Sequence, residues 1–211
     1  MVVKSSLPGP AEQIGVKLGI LFSYLPVSPN QWTVISIIPA MLGFVALAFY
    51  RDMALGLLLF VLSALLDAVD GGVARVTGSV SNLGAYLDGM ADRLVEGFLF
   101  FGLMFFGLPD TILLGLAIPM WAWIALLLFV GTGLVSFSRA YADHRKVVTD
   151  AKKLKAMGGV LERAERLVLV FAGMALFSFG PAYLNGAIIL AGALSLVTLA
   201  QRVWFVVRNA E

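Results

Sequence analysis

Long apolar stretches separated by short polar breaks dominate the chain. Six of them are long enough to cross a hydrocarbon core of about 30 Å as helices. They lie near residues 31–50, 54–75, 84–107, 112–138, 160–180 and 183–206. The pattern therefore predicts an all-α integral membrane protein with six transmembrane helices.

The segment before the first stretch has a different pattern. Between residues 11 and 24, apolar side chains recur at helical spacing: Ile14, Leu18, Leu21 and Phe22. This spacing favours an amphipathic helix on the membrane surface. The first residues lack the pattern of a cleaved signal peptide, so the first span is expected to direct insertion. We expect residues 1–29 to form an N-terminal cytoplasmic segment and residues 30–211 to form the six-helix membrane domain.

Composition supports this class and excludes several kinds of site. Hydrophobic residues make up 60% of the chain and charged residues 13%, whereas soluble domains average about 45–50% and about 25%. Cysteine is absent, which excludes disulfides and thiolate metal sites, and the single histidine, His144, excludes a multi-histidine centre. No nucleic acid partner is expected.

The basic residues indicate the orientation. With six spans, every one of the fifteen Lys and Arg residues except Arg51 falls on one side or at the helix ends facing it. The positive-inside rule makes that side cytoplasmic, with both termini there. We therefore expect a multi-pass protein of the cell membrane whose active site faces the cytoplasm.

Four aspartates stand out because they interrupt otherwise apolar sequence. Each charged carboxylate deep in a bilayer costs on the order of 2.5–3.5 kcal/mol. Asp67 and Asp70 are three residues apart, and Asp88 and Asp92 are four apart, so each pair shares a helix face. An antiparallel hairpin would bring the pairs together, and their repulsion would be relieved by a hard divalent cation such as Mg²⁺, Mn²⁺ or Ca²⁺.

Glycines and an arginine next to these carboxylates suggest phosphate chemistry. Gly71, Gly72 and Gly84 are costly inside helices unless a ligand or another backbone approaches closely. Arg75 can hold a phosphate through two parallel hydrogen bonds. Together these residues predict phosphoryl transfer or pyrophosphate cleavage.

The same stretch resembles the CDP-alcohol phosphotransferase family. The pattern Asp67-x2-Asp70-Gly71-x2-Ala74-Arg75-x8-Gly84-x3-Asp88-x3-Asp92 is similar to that family's complete signature. The resemblance implies transfer of a substituted phosphate from a CDP-linked lipid to an alcohol with release of CMP. It also implies a homodimer.

Several residue roles follow from this resemblance alone. It implies that the four aspartates hold two divalent ions, Mg²⁺ or Mn²⁺, and that Asp92 is also the general base. It implies that a further set contacts the CDP-lipid: Asn30, Gln31, Trp32, Thr33, Gly71, Ala74, Arg75 and Ser81.

A second resemblance indicates the acceptor. The segments 136–140 and 159–167 are similar to the phosphatidylinositol-phosphate and archaetidylinositol-phosphate synthases. It implies that Arg139, Arg166 and Arg202 bind the phosphate of inositol phosphate, a soluble phosphorylated polyol, and that the donor is CDP-diacylglycerol or CDP-archaeol.

Alternatives remain at this point. Glycerol 3-phosphate or serine could be the acceptor, and a divalent-cation transporter could use the same aspartates as a transport site. Glu96 continues the Asp88–Asp92 face by one turn, either as an outer partner of the metal site or as a neutral, hydrogen-bonded carboxyl.

Overall fold

The computed structural model describes residues 10–113 and 115–210, and almost all of its regular structure is helical. The helices are α1 (Pro10–Phe22), α2 (Pro29–Ala48), α3 (Met53–Thr77), α4 (Asn82–Phe106), α5 (Met120–Leu126), α6 (Val135–His144), α7 (Ala151–Ala156), α8 (Arg163–Ala175) and α9 (Pro181–Arg208). A π-helical segment, Leu127–Leu134, joins α5 to α6, and a 3₁₀ turn, Phe177–Phe179, follows α8.

Four helical segments are long and apolar enough to cross a membrane, within the part of the chain that the structure describes. They are Pro29–Ala48, Met53–Thr77, Met120–His144 and Pro181–Arg208. Helix α4 is long enough to span a membrane, with 25 residues. However, even its last 18 residues contain three charged side chains, Asp92, Arg93 and Glu96. Helix α8 has 13 residues, or about 20 Å at 1.5 Å per residue. The structure thus supports a multi-pass membrane protein. That the protein has six spans stays a prediction.

The fourth predicted span begins later than the apolar pattern indicates. The start of the predicted span 112–138 lies instead in two short antiparallel strands, β1 (Thr111–Leu113) and β2 (Leu116–Ile118). Their register pairs Thr111 with Ile118 and Leu113 with Leu116. Gly115 has a φ of +79°, which a helix does not accommodate, and Pro119 is the N-cap of α5. An apolar run of this length fits a strand or a helix equally well, so periodicity alone could not separate them.

The chain divides into two compact units. The first contains the described residues up to Gly43 together with Leu58–Val95. Its core includes Trp32, Val69 and Val73, against which Leu18 and Phe22 of α1 pack. In contrast, Leu21 of α1 is 65% exposed. Part of the apolar stripe predicted for α1 therefore packs into the core of the unit. The position of α1 on a membrane surface stays a prediction.

The second unit contains Phe44–Leu57 and the residues from Glu96 onward. Helices α8 and α9 pack closely because Gly173 faces Leu184 and Ala187, where a Cβ would approach the Ala187 Cβ to 2.8 Å. The loop before α8 is also tied to α9: the backbone N–H groups of Val160 and Leu161 donate to the side chains of Gln201 and Thr198, each at 3.0 Å. These contacts place the start of α8 beside the C-terminal half of α9.

Candidate active site

Three carboxylates converge in the first unit. Asp67 and Asp70 lie one turn apart near the end of α3, and Asp88 lies near the start of α4. Each offers one oxygen atom, and these atoms all lie within 4.8 Å of one another. Gly78, with a φ of +68°, supplies the left-handed residue that the short turn between α3 and α4 requires. Three like charges this close repel strongly, and an oxygen-only set of this kind fits a divalent cation.

Asp70 is oriented by a neighbouring helix. Its side chain is buried, with 5% of the residue exposed, and the Thr33 hydroxyl of α2 donates a hydrogen bond to its Oδ2. The negative charges of Asp88 and Asp92 repel the Asp70 carboxylate. Thr33, predicted as a nucleotide contact, thus also fixes a carboxylate oxygen of the candidate metal centre.

Asp92 follows Asp88 by one turn but is not part of the group of three. Its Oδ2 lies 3.4 Å from Nη1 of Arg93, which also donates to the Gly89 carbonyl at 2.8 Å. Its side chain is 14% exposed, so a reacting hydroxyl could approach it from only a small part of the surface. Its role as general base stays a prediction.

A cavity of about 340 Å³ lies beside Asp70 and Asp88. Six of the eight predicted CDP contacts line it: Asn30, Thr33, Gly71, Ala74, Arg75 and Ser81. Ser81 also caps α4, because its Oγ accepts from the Gly84 N–H at 3.0 Å. A Cβ on Gly84 would lie 3.2 Å from that Oγ and 3.3 Å from the Asn30 side-chain oxygen. The glycine therefore leaves room for the polar side chains that line the cavity.

Gln31 and Trp32, the other two predicted CDP contacts, make structural contacts, and their contact with CDP stays a prediction. Gln31 and Ser28 form a capping box at the start of α2: the Ser28 N–H donates to Gln31 Oε1 at 2.8 Å, and the Gln31 N–H donates to Ser28 Oγ at 3.3 Å. Trp32 is 7% exposed and contacts Phe22 edge-on at 5.2 Å. Neither side chain lines the cavity beside the aspartates. Consecutive helical positions point in different directions, which explains why Asn30 and Thr33 line the cavity while Gln31 and Trp32 between them do not.

The two adjacent glycines, Gly71 and Gly72, face different surroundings. Gly71 lines the cavity, and a Cβ there would meet only the flexible end of Arg75, at 3.4 Å. Gly72 instead faces α1, where a Cβ would lie 2.2 Å from the Gly15 carbonyl oxygen. A Cβ on Gly19 would in turn lie 2.3 Å from the Gly72 carbonyl carbon. The expectation that both glycines admit a phosphate thus applies to Gly71, whereas Gly72 permits the close crossing of α1 and α3.

The predicted acceptor arginines lie in the second unit, and two of them share a carboxylate. Arg202 donates to the Val135 carbonyl at 2.6 Å and lies 3.4 Å from Glu162 Oε1. Arg139 donates to the Met157 carbonyl and lies 3.9 Å from the same Glu162 oxygen. Arg202 is also repelled by the charges of both Arg139 and Arg166. The structure thus brings the three arginines into one electrostatic group.

Arg166 has a carboxylate partner that the sequence analysis missed. Its Nη2 donates to both oxygens of Glu96, at 2.9 and 2.7 Å, and its Nη1 donates to the Gly131 carbonyl at 3.0 Å. Arg163 Nε adds a bond to Glu96 at 3.1 Å, and the Thr132 hydroxyl donates to the other oxygen. Glu96 is therefore an ion-paired carboxylate, which differs from both expectations for it. A buried acidic residue in the apolar part of α4 was the available signal, since such a charge needs a partner.

Comparisons with known proteins identify relatives of this chain. The family model for CDP-alcohol phosphatidyltransferase matches residues 26–204. The archaetidylinositol phosphate synthase of Pyrococcus horikoshii is 30% identical over 210 residues, which cover 99% of this chain and 97% of that protein. The phosphatidylinositol phosphate synthase of Mycobacteroides abscessus is 35% identical over 144 residues, or 67% of this chain and 60% of that protein.

Solved structures share the fold. The crystal structure of Mycobacterium tuberculosis phosphatidylinositol phosphate synthase with CDP-DAG bound has a TM-score of 0.74 at 23% identity, covering 92% of this chain and 94% of that one. The structure of that enzyme with manganese and citrate also has a TM-score of 0.74 at 23% identity, covering 91% and 88%. From the family match and the full-length relative together, this chain belongs to the CDP-alcohol phosphatidyltransferase family.

Proposed function

We propose that this protein transfers a phosphatidyl-type group from a CDP-activated lipid to inositol phosphate and releases CMP. The observation that carries the proposal is the group formed by Asp67, Asp70 and Asp88 beside a cavity lined by Gly71 and Arg75. This arrangement suits a pyrophosphate held at a divalent ion. Relatives named for archaetidylinositol phosphate and for phosphatidylinositol phosphate support the same acceptor.

In this proposal the aspartates Asp67, Asp70, Asp88 and Asp92 would hold two divalent ions, Mg²⁺ or Mn²⁺. Bound ions of this kind would neutralise the charge that develops on the pyrophosphate oxygens. Arg75 binds a phosphate of the CDP group, and the remaining cavity residues hold the nucleotide. The hydrogen bond from Thr33 orients Asp70 for this role.

The reaction needs one proton transfer and one displacement. Asp92 accepts the proton of an acceptor hydroxyl, and the resulting alkoxide oxygen forms a bond to the lipid-side phosphorus. The bond from that phosphorus to the bridging oxygen breaks, and CMP leaves with the electron pair. Arg139, Arg166 and Arg202 bind the phosphate group of the acceptor through charge-assisted hydrogen bonds.

The test is CMP release by the purified protein with Mg²⁺ and a CDP-lipid. CDP-diacylglycerol and CDP-archaeol would be compared as donors, because the named relatives use both tail chemistries in their products. Inositol phosphate would be compared with glycerol 3-phosphate, serine and free inositol. Release with inositol phosphate above the others supports the proposal. Release with only a non-phosphorylated acceptor contradicts the role of the three arginines, and no release with any acceptor contradicts the reaction.

We also propose that α4 and α8 complete six spans, with α1 on the membrane surface and both termini in the cytoplasm. The chain has no cysteine, so single cysteines can be introduced and labelled with a membrane-impermeant maleimide. Tyr50→Cys should be labelled in intact cells, whereas Lys152→Cys should react only after the membrane is opened. The reverse result would contradict the orientation. The homodimer proposed from the family resemblance can be tested by the mass of the protein in detergent.

A further inference from the structure

Glu162 occupies the space between two of the proposed acceptor arginines. Its Oε1 lies 3.4 Å from Arg202 Nη2 and 3.9 Å from Arg139 Nη2. The Arg202 side chain is only 6% exposed, whereas those of Glu162 and Arg139 are 44% and 41% exposed. The Glu162 carboxylate is thus accessible to solvent, and an external anion can reach it there.

One carboxylate does not neutralise these guanidinium groups. Arg139 and Arg202 each donate one other bond, to a backbone carbonyl that carries no net charge. The buried Nε atoms of both arginines have no hydrogen-bond acceptor among the described residues. Arg166 adds a further repulsive charge to Arg202. The group therefore retains unused donors and positive charge that a second anion or a more highly charged anion could satisfy.

A phosphate monoester matches this deficit better than a carboxylate. It carries about −1.5 to −2 charges near neutral pH and three strong acceptor oxygens. It can bind two guanidinium groups at once through paired hydrogen bonds. The Glu162 side chain is 44% exposed and its Oε1 lies 3.4 and 3.9 Å from the two guanidinium groups, so solvent and distance weaken both ion pairs. They are therefore weak enough to be replaced.

We propose that Glu162 is a displaceable counter-ion of the acceptor site, and that the phosphate of the acceptor takes its place between Arg139 and Arg202. This inference rests on the proposed function. It assigns to Glu162 a role in setting acceptor affinity, because binding of the phosphate must first separate the carboxylate from the two guanidinium groups.

Glu162 has a second, separable task that provides a matched control. It is the N-cap of α8 and forms a capping box with Glu165, whose Oε2 accepts from the Glu162 N–H at 3.1 Å. Glu165 is exposed and takes part in the cap. Glu162→Gln removes the charge and keeps an oxygen that can cap the helix, whereas Glu165→Ala weakens the cap and leaves the charge of Glu162 in place.

The first measurement is the KM for the phosphorylated acceptor in the wild type and both variants. Glu162→Gln should lower KM by about 3- to 5-fold, the equivalent of a lost exposed ion pair, without a proportional change in kcat. Glu165→Ala should leave KM within about 2-fold of the wild type. An unchanged or raised KM in Glu162→Gln, or equal changes in both variants, would overturn the counter-ion role.

A second measurement does not depend on turnover. Inorganic phosphate is added to the chelator-treated protein in detergent, and the rise in Tm is recorded. The rise should be larger in Glu162→Gln than in the wild type, and equal rises would contradict the proposal. Failure of the wild type to release CMP would refute the proposed function only, because the phosphate-dependent Tm difference would still report on Glu162.

Discussion

Removal of the Glu96 carboxylate should destabilise the second unit strongly. Glu96 is 1% exposed and Arg166 is 2% exposed, so the pair is almost fully removed from solvent. In Glu96→Ala, Arg166 keeps only its bond to the Gly131 carbonyl among the described residues. Arg163, whose side chain is 32% exposed, loses the same partner. An uncompensated buried charge is the consequence.

The expected cost follows from this burial. Breaking a buried ion pair by removing one partner costs about 3–5 kcal/mol, since the remaining charge stays desolvated. For a chain of about this length, 1 kcal/mol changes Tm by roughly 2–4 °C. Glu96→Ala should therefore lower Tm by about 6–20 °C. The assay is the fraction of protein that stays monodisperse in detergent after heating, measured over a range of temperatures.

An exposed ion pair in the same unit provides the control. Asp143 lies 3.2 Å from Lys146, and their side chains are 60% and 71% exposed. Asp143→Ala removes a carboxylate from an ion pair as Glu96→Ala does, but should change Tm by no more than about 2 °C because solvent screens the pair. The double variant Glu96→Ala/Arg166→Met should recover part of the loss, since it removes the unpaired charge. Equal Tm values for Glu96→Ala and Asp143→Ala would refute the argument from burial.

Three further predictions follow, two on the candidate metal centre and one on the crossing of α1 and α3. Asp88→Asn should reduce CMP release by at least about 10²-fold and weaken Mn²⁺ binding measured by titration, because it removes one of the three converging carboxylates; unchanged Mn²⁺ affinity would contradict the metal centre. Chelation with EDTA should stop CMP release and Mg²⁺ should restore it, whereas activity that survives chelation would contradict the need for a divalent ion. Gly72→Ala should lower Tm, because its Cβ would lie 2.2 Å from a backbone oxygen of α1, while Gly97→Ala, with nothing within 4 Å, should not. Equal Tm values for these two glycine variants would contradict the close helix crossing.

Local spacing predicted the convergence of three carboxylates better than any other feature of the candidate site. Asp67 and Asp70 share a helix face whatever surrounds them, since the turn of an α-helix determines which residues are neighbours. The short turn between α3 and α4 then restricts how the two helices can pack, so Asp88 comes close to Asp67 and Asp70. The positions of three carboxylates could therefore be inferred from residues within one short stretch.

Features that depend on tertiary packing could not be inferred in this way. Gly71 and Gly72 are adjacent and chemically identical, and only the position of α1 shows which of them faces a helix and which the cavity. Glu96 and Arg166 are 70 residues apart, so no helical period relates them. Trp32 stands inside a motif expected to contact nucleotide, but its size and apolar surface place it in the core.

The three arginines proposed to bind the acceptor differ in the strength of their ion pairs, and this difference bears on function. Arg166 is fixed by two short bonds to a buried carboxylate, whereas Arg139 and Arg202 share one partly exposed carboxylate at longer distances. A substrate anion would have to overcome a cost of several kcal/mol to replace Glu96, but about 1 kcal/mol or less to replace Glu162. Exchange of ligands is therefore expected at Arg139 and Arg202. Arg166 would then contribute to acceptor binding mainly as a fixed positive charge, while its ion pair with Glu96 stabilises α8 against α4.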